Sequence, residues 1–343
     1  MQNAVTALPL LRQLLSAAIA GLLSMLLLES SAQAQEIKSS LTATDSGLVN
    51  FMSANRRTTF GQVYQKKVAF DEPITGDLRF PGNPAPGKLP AVVIMHSSAG
   101  VGESVHAWAQ FFNDMGLASL AVDSFKPRGI QRSVEDQNVL SFAASAMDSL
   151  KALELLATHP AIDAKRIAII GFSRGGGAGL HASFERVRQG AIKDDTRYAI
   201  HFLFYPSCSE FARTTGAPLH AFLGSDDAYN SVDKCRFNVN RLKSLGAHID
   251  MTVYQGAKHG FDAIGPANLW IPLGTTAKEC ETGSQNLDTG ISVMQDGRTM
   301  PTAEFIKLRT ACLKRGFAVG SDPEARERSR EAVRALLKKQ FGL

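Results

Sequence analysis

Short apolar runs alternate with amphipathic stretches along most of this chain. Runs of four to eight apolar residues bounded by turn formers read as strands, and longer stretches with a 3.6-residue period read as helices. On that basis strands are expected at Gln62–Phe70, Ala91–His96, Ala118–Val122, Arg166–Gly171, Tyr198–Tyr205, Leu219–Gly224 and His248–Tyr254. The run Ala91-Val92-Val93-Ile94-Met95 has no polar alternation, as expected of a strand covered on both faces. Helices are expected between the strands. Val105–Met115 ends at Gly116, and Val139–Thr158 carries Val139, Ala143, Met147, Leu150 and Leu153 on one stripe. Gly176–Gln189 and Asp233–Leu245 follow, and a last helix is capped by Asp322 with Pro323 at its first position. The order predicts an α/β fold with a mostly parallel central sheet and helices on both faces. Residues 265–320 differ, with many turn formers and weak periodicity. They are expected to form an irregular elaboration near the active-site end, either a lid or a surface covering.

The first residues follow another pattern. Arg12 precedes an apolar run from Leu14 to Leu28, and Ala32-Gln33-Ala34 supplies a small-residue cleavage site before Gln35. Residues 1–34 therefore read as a secretory signal peptide rather than a membrane anchor, and 35–343 as one exported domain in the periplasm or medium. No later run is long enough to span a bilayer, so no stable membrane insertion is expected after cleavage. The net charge of +5 is mild and its basic residues are scattered, which gives no nucleic-acid signature. Four cysteines in an exported chain suggest disulfides. Three pairings are possible; strand topology favours Cys208–Cys235 and Cys280–Cys312. With no Cys-x-x-Cys or paired histidines, no metal site is expected.

The candidate chemistry starts at Ile167-Ala168-Ile169-Ile170-Gly171-Phe172-Ser173-Arg174-Gly175-Gly176, an apolar strand running into Gly-x-Ser-x-Gly and a small-residue helix start. That context predicts a nucleophile elbow presenting Ser173. A serine hydroxyl needs a base oriented by an acid, and the order Ser, Asp, His is met downstream. Gly224-Ser225-Asp226-Asp227 ends one strand, and His259 follows another. Both lie beyond carboxyl ends of strands, where sites of open α/β sheets gather. The backbone N–H of Arg174, at a helix N-terminus, and that of Ser98 (Ser97 as the second choice), in the loop after His96, are the candidate oxyanion donors. His96 itself reads as a structural hydrogen-bonding residue.

The segments Val92–His96, Gly171–Gly176, Gly224–Asp227 and His259-Gly260-Phe261-Asp262 together resemble the dienelactone hydrolase family, from about the His96 strand to His259. The resemblance implies an α/β-hydrolase without a large cap domain. It also selects Asp227 over Asp226, because the family's acid falls three residues after the turn glycine. Two positions depart from it. The enzymes that name the family carry a cysteine nucleophile where this chain has Ser173, and a glutamate after the strand histidine where it has Ser97. Arg128, or Arg174, is a candidate contact for a substrate carboxylate, against a structural role for each. The expected activity is cleavage of a small-molecule carboxylic ester or lactone by Ser173, Asp227 and His259, without metal or organic cofactor. Two rivals are a peptidase of the prolyl-oligopeptidase type and a non-catalytic binding protein on a hydrolase fold. The sequence leaves the acyl and alcohol groups and the oligomeric state open.

Overall fold

The computed structural model describes residues 36–343; the expected signal peptide, 1–34, lies outside the described residues. Its strands are β1 (Gly47–Ser53), β2 (Glu72–Arg79), β3 (Leu89–Met95), β4 (Ala118–Asp123), β5 (Ile162–Phe172), β6 (Ile200–Phe204), β7 (Glu210–Phe211), β8 (Leu219–Gly224), β9 (Ile249–Tyr254), β10 (Leu269–Thr276), β11 (Gly283–Asn286), β12 (Ile291–Met294), β13 (Thr299–Pro301) and β14 (Lys314–Val319). Its helices are α1 (Phe60–Tyr64), α2 (Glu103–Asp114), α3 (Phe142–Leu156), α4 (Arg174–Ala182), α5 (Glu185–Ala191), α6 (Val232–Ser244), α7 (Thr302–Ala311) and α8 (Pro323–Phe341). The main sheet runs β1-β2-β4-β3-β5-β6-β8-β9. The β1–β2 and β2–β4 pairs are antiparallel, and every later pair is parallel.

The unbroken apolar strands have the two-sided burial their composition demands. In β3, Ala91, Val93 and Met95 join one core, and Val92 and Ile94 join the other. Strand β5 divides likewise, with Ile167 and Ile169 on one side and Ala168, Ile170 and Phe172 on the other. Helices α3 and α4 cover the first face through Met147, Leu150, Leu153 and Leu180. Helices α2 and α8 cover the second through Trp108, Phe112, Val333 and Leu337. Capping fixes where they begin. Ser141 Oγ accepts from the Ala144 N–H at 2.9 Å, and Asp322 Oδ1 from the Ala325 N–H at 3.0 Å.

Three expectations require correction. The stretch Gln62–Phe70 is not a strand. Thr59 and Gln62 form a reciprocal capping box that starts α1, and the antiparallel strands lie at Gly47–Ser53 and Glu72–Arg79 instead. The single helix expected over Gly176–Gln189 is two helices, because Ser183 Oγ bonds back to Leu180 O at 2.6 Å and Phe184 drops into the core. Residues 265–320 are not irregular. Strands β10 and β14 form an antiparallel ribbon, and β13-β12-β11 extend to β7 as a second small sheet carrying α7. The β10–β14 and β11–β7 pairings join distant segments, so local periodicity carried little of the signal for them. Cys208 is bonded to Cys235 and Cys280 to Cys312. Among the described residues no helix is long and apolar enough to cross a membrane.

Candidate active site

The geometry begins at the turn between β5 and α4. Ser173 has φ 53° and ψ −109°, a conformation that L-residues rarely adopt. Its N–H donates to Phe204 O at 2.9 Å, and its C=O accepts from the Gly177 N–H at 2.9 Å. The two glycines of the motif permit this turn. A Cβ on Gly171 would lie 2.0 Å from Gly175 O, and one on Gly175 would lie 2.2 Å from Met95 O. No side chain fits at either place, so strand and helix close tightly around the half-buried Ser173.

Loops after β8 and β9 bring Asp227 and His259 to it. His259 Nε2 lies 2.9 Å from Ser173 Oγ, and His259 Nδ1 lies 2.8 Å from Asp227 Oδ2. The other oxygen of Asp227 accepts the N–H groups of Tyr229 and Asn230, both at 2.7 Å. Those two bonds fix the carboxylate, so Oδ2 is left to orient the imidazole. Asp226 turns outward, where its Oδ1 accepts from Ser225 Oγ at 2.9 Å. Ser173, Asp227 and His259, 86 residues apart at the extremes, therefore form one hydrogen-bonded chain.

The loop after β3 faces this chain, and Ser97 and Ser98 line the same cavity as Ser173 and His259. His96 sits behind the loop. Its Nδ1 lies 2.6 Å from Ser97 O, and its Nε2 accepts from the Ser124 N–H at 3.2 Å. Burial lowers its pKa, so the neutral tautomer suits both contacts. Arg174 contributes its backbone to the start of α4 and turns its side chain inward. The guanidinium donates to Ser133 Oγ, Leu140 O, Ser145 Oγ, Gln137 O and Gln137 Oε1 at 2.5–3.2 Å. Gln137 in turn donates to Ser98 Oγ at 3.1 Å, so Arg174 ties the loop over 133–140 to the loop carrying Ser98. Desolvation brings the pKa of Arg174 down to about 10.

Arg128 is placed elsewhere. Its five N–H donors go to Glu72, Ser124 O, Ala54 O and both oxygens of Asp148, at 2.6–3.0 Å. A guanidinium has five donors, so none remains for a substrate. The expected carboxylate contact is corrected: Arg128 is a buried strut joining β2, the β4 loop and α3.

The cavity beside Ser173 has a volume of about 400 Å³. The β10–β14 ribbon forms one wall through Leu269, Ile271, Phe317 and Val319. Two tyrosines missed in the sequence pack on His259. The ring centres of Tyr205 and Tyr229 lie 4.6 and 4.9 Å from that of His259. Tyr205, with φ 37°, donates its hydroxyl to Asp262 Oδ1, while Trp108 Nε1 donates to Asp262 Oδ2 at 2.8 Å. Burial pushes both the Asp262 and Tyr205 pKa values upward. The only local signal for Tyr205 was its place at a strand end before Pro206. Among the described residues no cluster of acidic, histidine or cysteine side chains is arranged to hold a metal ion.

No curated protein matches the chain by sequence. Among solved structures, a thermophilic esterase from the planctomycete Thermogutta terrifontis is similar at 17% identity, covering 56% of this chain and 82% of that one, with a TM-score of 0.45. A putative dienelactone hydrolase from Klebsiella pneumoniae is similar at 18% identity, covering 63% and 89%, with a TM-score of 0.46. A dienelactone hydrolase-like promiscuous phosphotriesterase from metagenomic libraries is similar at 17% identity, covering 64% and 86%, with a TM-score of 0.43. The sequence profile of the dienelactone hydrolase family matches residues 76–281, well over half of the chain and a span that holds Ser173, Asp227 and His259. The chain therefore belongs to the dienelactone hydrolase family, a family of α/β hydrolases that act on esters.

Proposed function

We propose that this protein is an exported serine hydrolase that cleaves a carboxylic ester or lactone through an acyl-enzyme. The observation that carries the reading is the hydrogen-bonded chain from Asp227 through His259 to Ser173, at the wall of an open cavity. Ser173 Oγ attacks the carbonyl carbon while His259 Nε2 takes its proton. The backbone N–H groups of Arg174 and Ser98 receive the developing oxyanion. His259 returns the proton to the leaving alcohol, and water then attacks the acyl group with His259 again as base. Asp227 holds Nδ1–H and stabilises the imidazolium. The two disulfides agree with a protein that works outside the reducing cytosol.

A fluorophosphonate probe tests the nucleophile. It labels Ser173 in the folded protein and fails to label Ser173→Ala; absence of labelling in folded wild type would sink the reading. Asp227→Asn keeps an acceptor for the Tyr229 and Asn230 N–H groups but presents an amide to His259. Its kcat on nitrophenyl esters falls by about 10³–10⁴-fold, as expected when the imidazole tautomer is wrong.

A further inference from the structure

We propose that this site takes an uncharged ester with a short apolar acyl group and rejects esters whose acyl chain carries a carboxylate. The inference rests on the ester-hydrolase reading and adds to it the charge class of the substrate.

Arg128 and Arg174 are fully committed to the protein. Arg128 gives its five N–H groups to Glu72, Asp148 and two carbonyls, and Arg174 gives its own to Ser133, Gln137, Leu140 and Ser145. Among the described residues that line the cavity there is no lysine or arginine. The charged side chains that do line it are acids. Asp262 lies buried on its inner side, and both its oxygens already accept hydrogen bonds from Tyr205 and Trp108. Glu103 lies at the rim, in the first turn of α2. That helix end would otherwise offer partial positive charge to an anion, and Glu103 offsets it.

Most of the rest of the wall is apolar, with Val105, Val134, Leu269, Ile271, Phe317 and Val319 among its residues. Its volume of about 400 Å³ suits a small ligand. A carboxylate on the acyl chain would leave water for this wall with no cation to pair it, only neutral hydroxyl donors such as those of Ser104 and Tyr229. An unpaired charge removed from water is strongly disfavoured, and two nearby acids add repulsion. A lactone bearing a carboxylate falls in the same rejected class.

The test compares 4-nitrophenyl valerate with mono-4-nitrophenyl glutarate. The two acyl chains have equal length, and the glutarate carries a carboxylate in place of the terminal methyl. After subtraction of spontaneous hydrolysis, kcat/KM for the valerate exceeds that for the glutarate by about 100-fold or more, the scale of leaving a charged group unsatisfied. Equal kcat/KM for the two esters, with turnover lost in Ser173→Ala, overturns the charge inference while leaving the serine mechanism standing. Undiminished turnover by Ser173→Ala overturns the ester-hydrolase reading itself.

Discussion

Arg128 and Arg174 occupy sequence contexts that give no hint of how differently they are anchored. Arg128 lies between two acids, Glu72 and Asp148, and its side chain is almost wholly buried. Arg174 is buried with neutral acceptors and the Phe142 ring, 4.5 Å from its guanidinium carbon. Removing Arg128 leaves the carboxylate of Asp148, which is 0% exposed, without a cation and with only the Ser53 hydroxyl as donor. Arg128→Ala is therefore expected to lower unfolding stability by about 3–5 kcal/mol, the cost of breaking a buried pair from one side. Urea unfolding measures the loss, and KM for neutral esters measured on the folded fraction stays unchanged. A raised KM at unchanged stability would return Arg128 to the substrate. The partners of Arg128 stand 56 residues before and 20 after it, so no local pattern identified them. Ser173, Asp227 and His259 were legible for the opposite reason. Each follows a strand with its own apolar run and a glycine-containing turn, so the strand order alone assembles them. Tyr205 and Tyr229 carried no comparable local mark, and only the fold places them against His259.

At the scale of elements, the buried parallel strands were the easiest to read and the β10–β14 ribbon the hardest. Ribbon residues pair across some fifty positions, as Leu269 does with Val319, and the register shifts between Ile271 and Thr275. Leu269 and Ile271 line the cavity while Trp270 and Leu273 are exposed, so the strand is apolar on both faces and lacks the alternation expected of a half-buried strand. The same element explains the second disulfide. The chain leaves the ribbon after Thr276 and re-enters it at Lys314, which pairs with Thr276. Cys280 and Cys312 therefore clamp the base of the excursion between them. A link across 32 positions removes about 3–4 kcal/mol of chain entropy from the unfolded state in the loop-closure description. The ribbon's short ladder holds the wall less firmly without it. Cys280→Ser combined with Cys312→Ser is expected to raise KM for neutral esters several-fold while kcat changes much less, because Ser173, Asp227 and His259 hang from the main sheet. Steady-state kinetics on the oxidised wild type and the double variant make the comparison. An unchanged KM would mean that the ladder alone keeps the wall in place.

For the whole molecule, two-sided burial of the central sheet places histidines as well as aliphatic residues out of water. His201 in β6 is 1% exposed, with Nδ1 3.0 Å from Gly179 O, and His96 is 3% exposed behind the loop that follows β3. Burial lowers both pKa values, that of His201 to about 4. In the unfolded chain each returns to about 6.5. Between these limits the unfolded state binds protons that the folded state refuses, so stability rises with pH. For His201 the contribution is fully present above about 6.5 and is lost as pH falls towards about 4. For His201 that interval corresponds to about 3 kcal/mol. His201→Asn removes the titration but keeps an amide N–H for Gly179 O. Urea midpoints measured from about pH 7.5 down to about pH 4.5 should fall more steeply for wild type than for the variant. Parallel lines for the two proteins would show that the fold accepts a charged imidazole at this position, and that acid sensitivity arises from groups other than the buried face of the sheet.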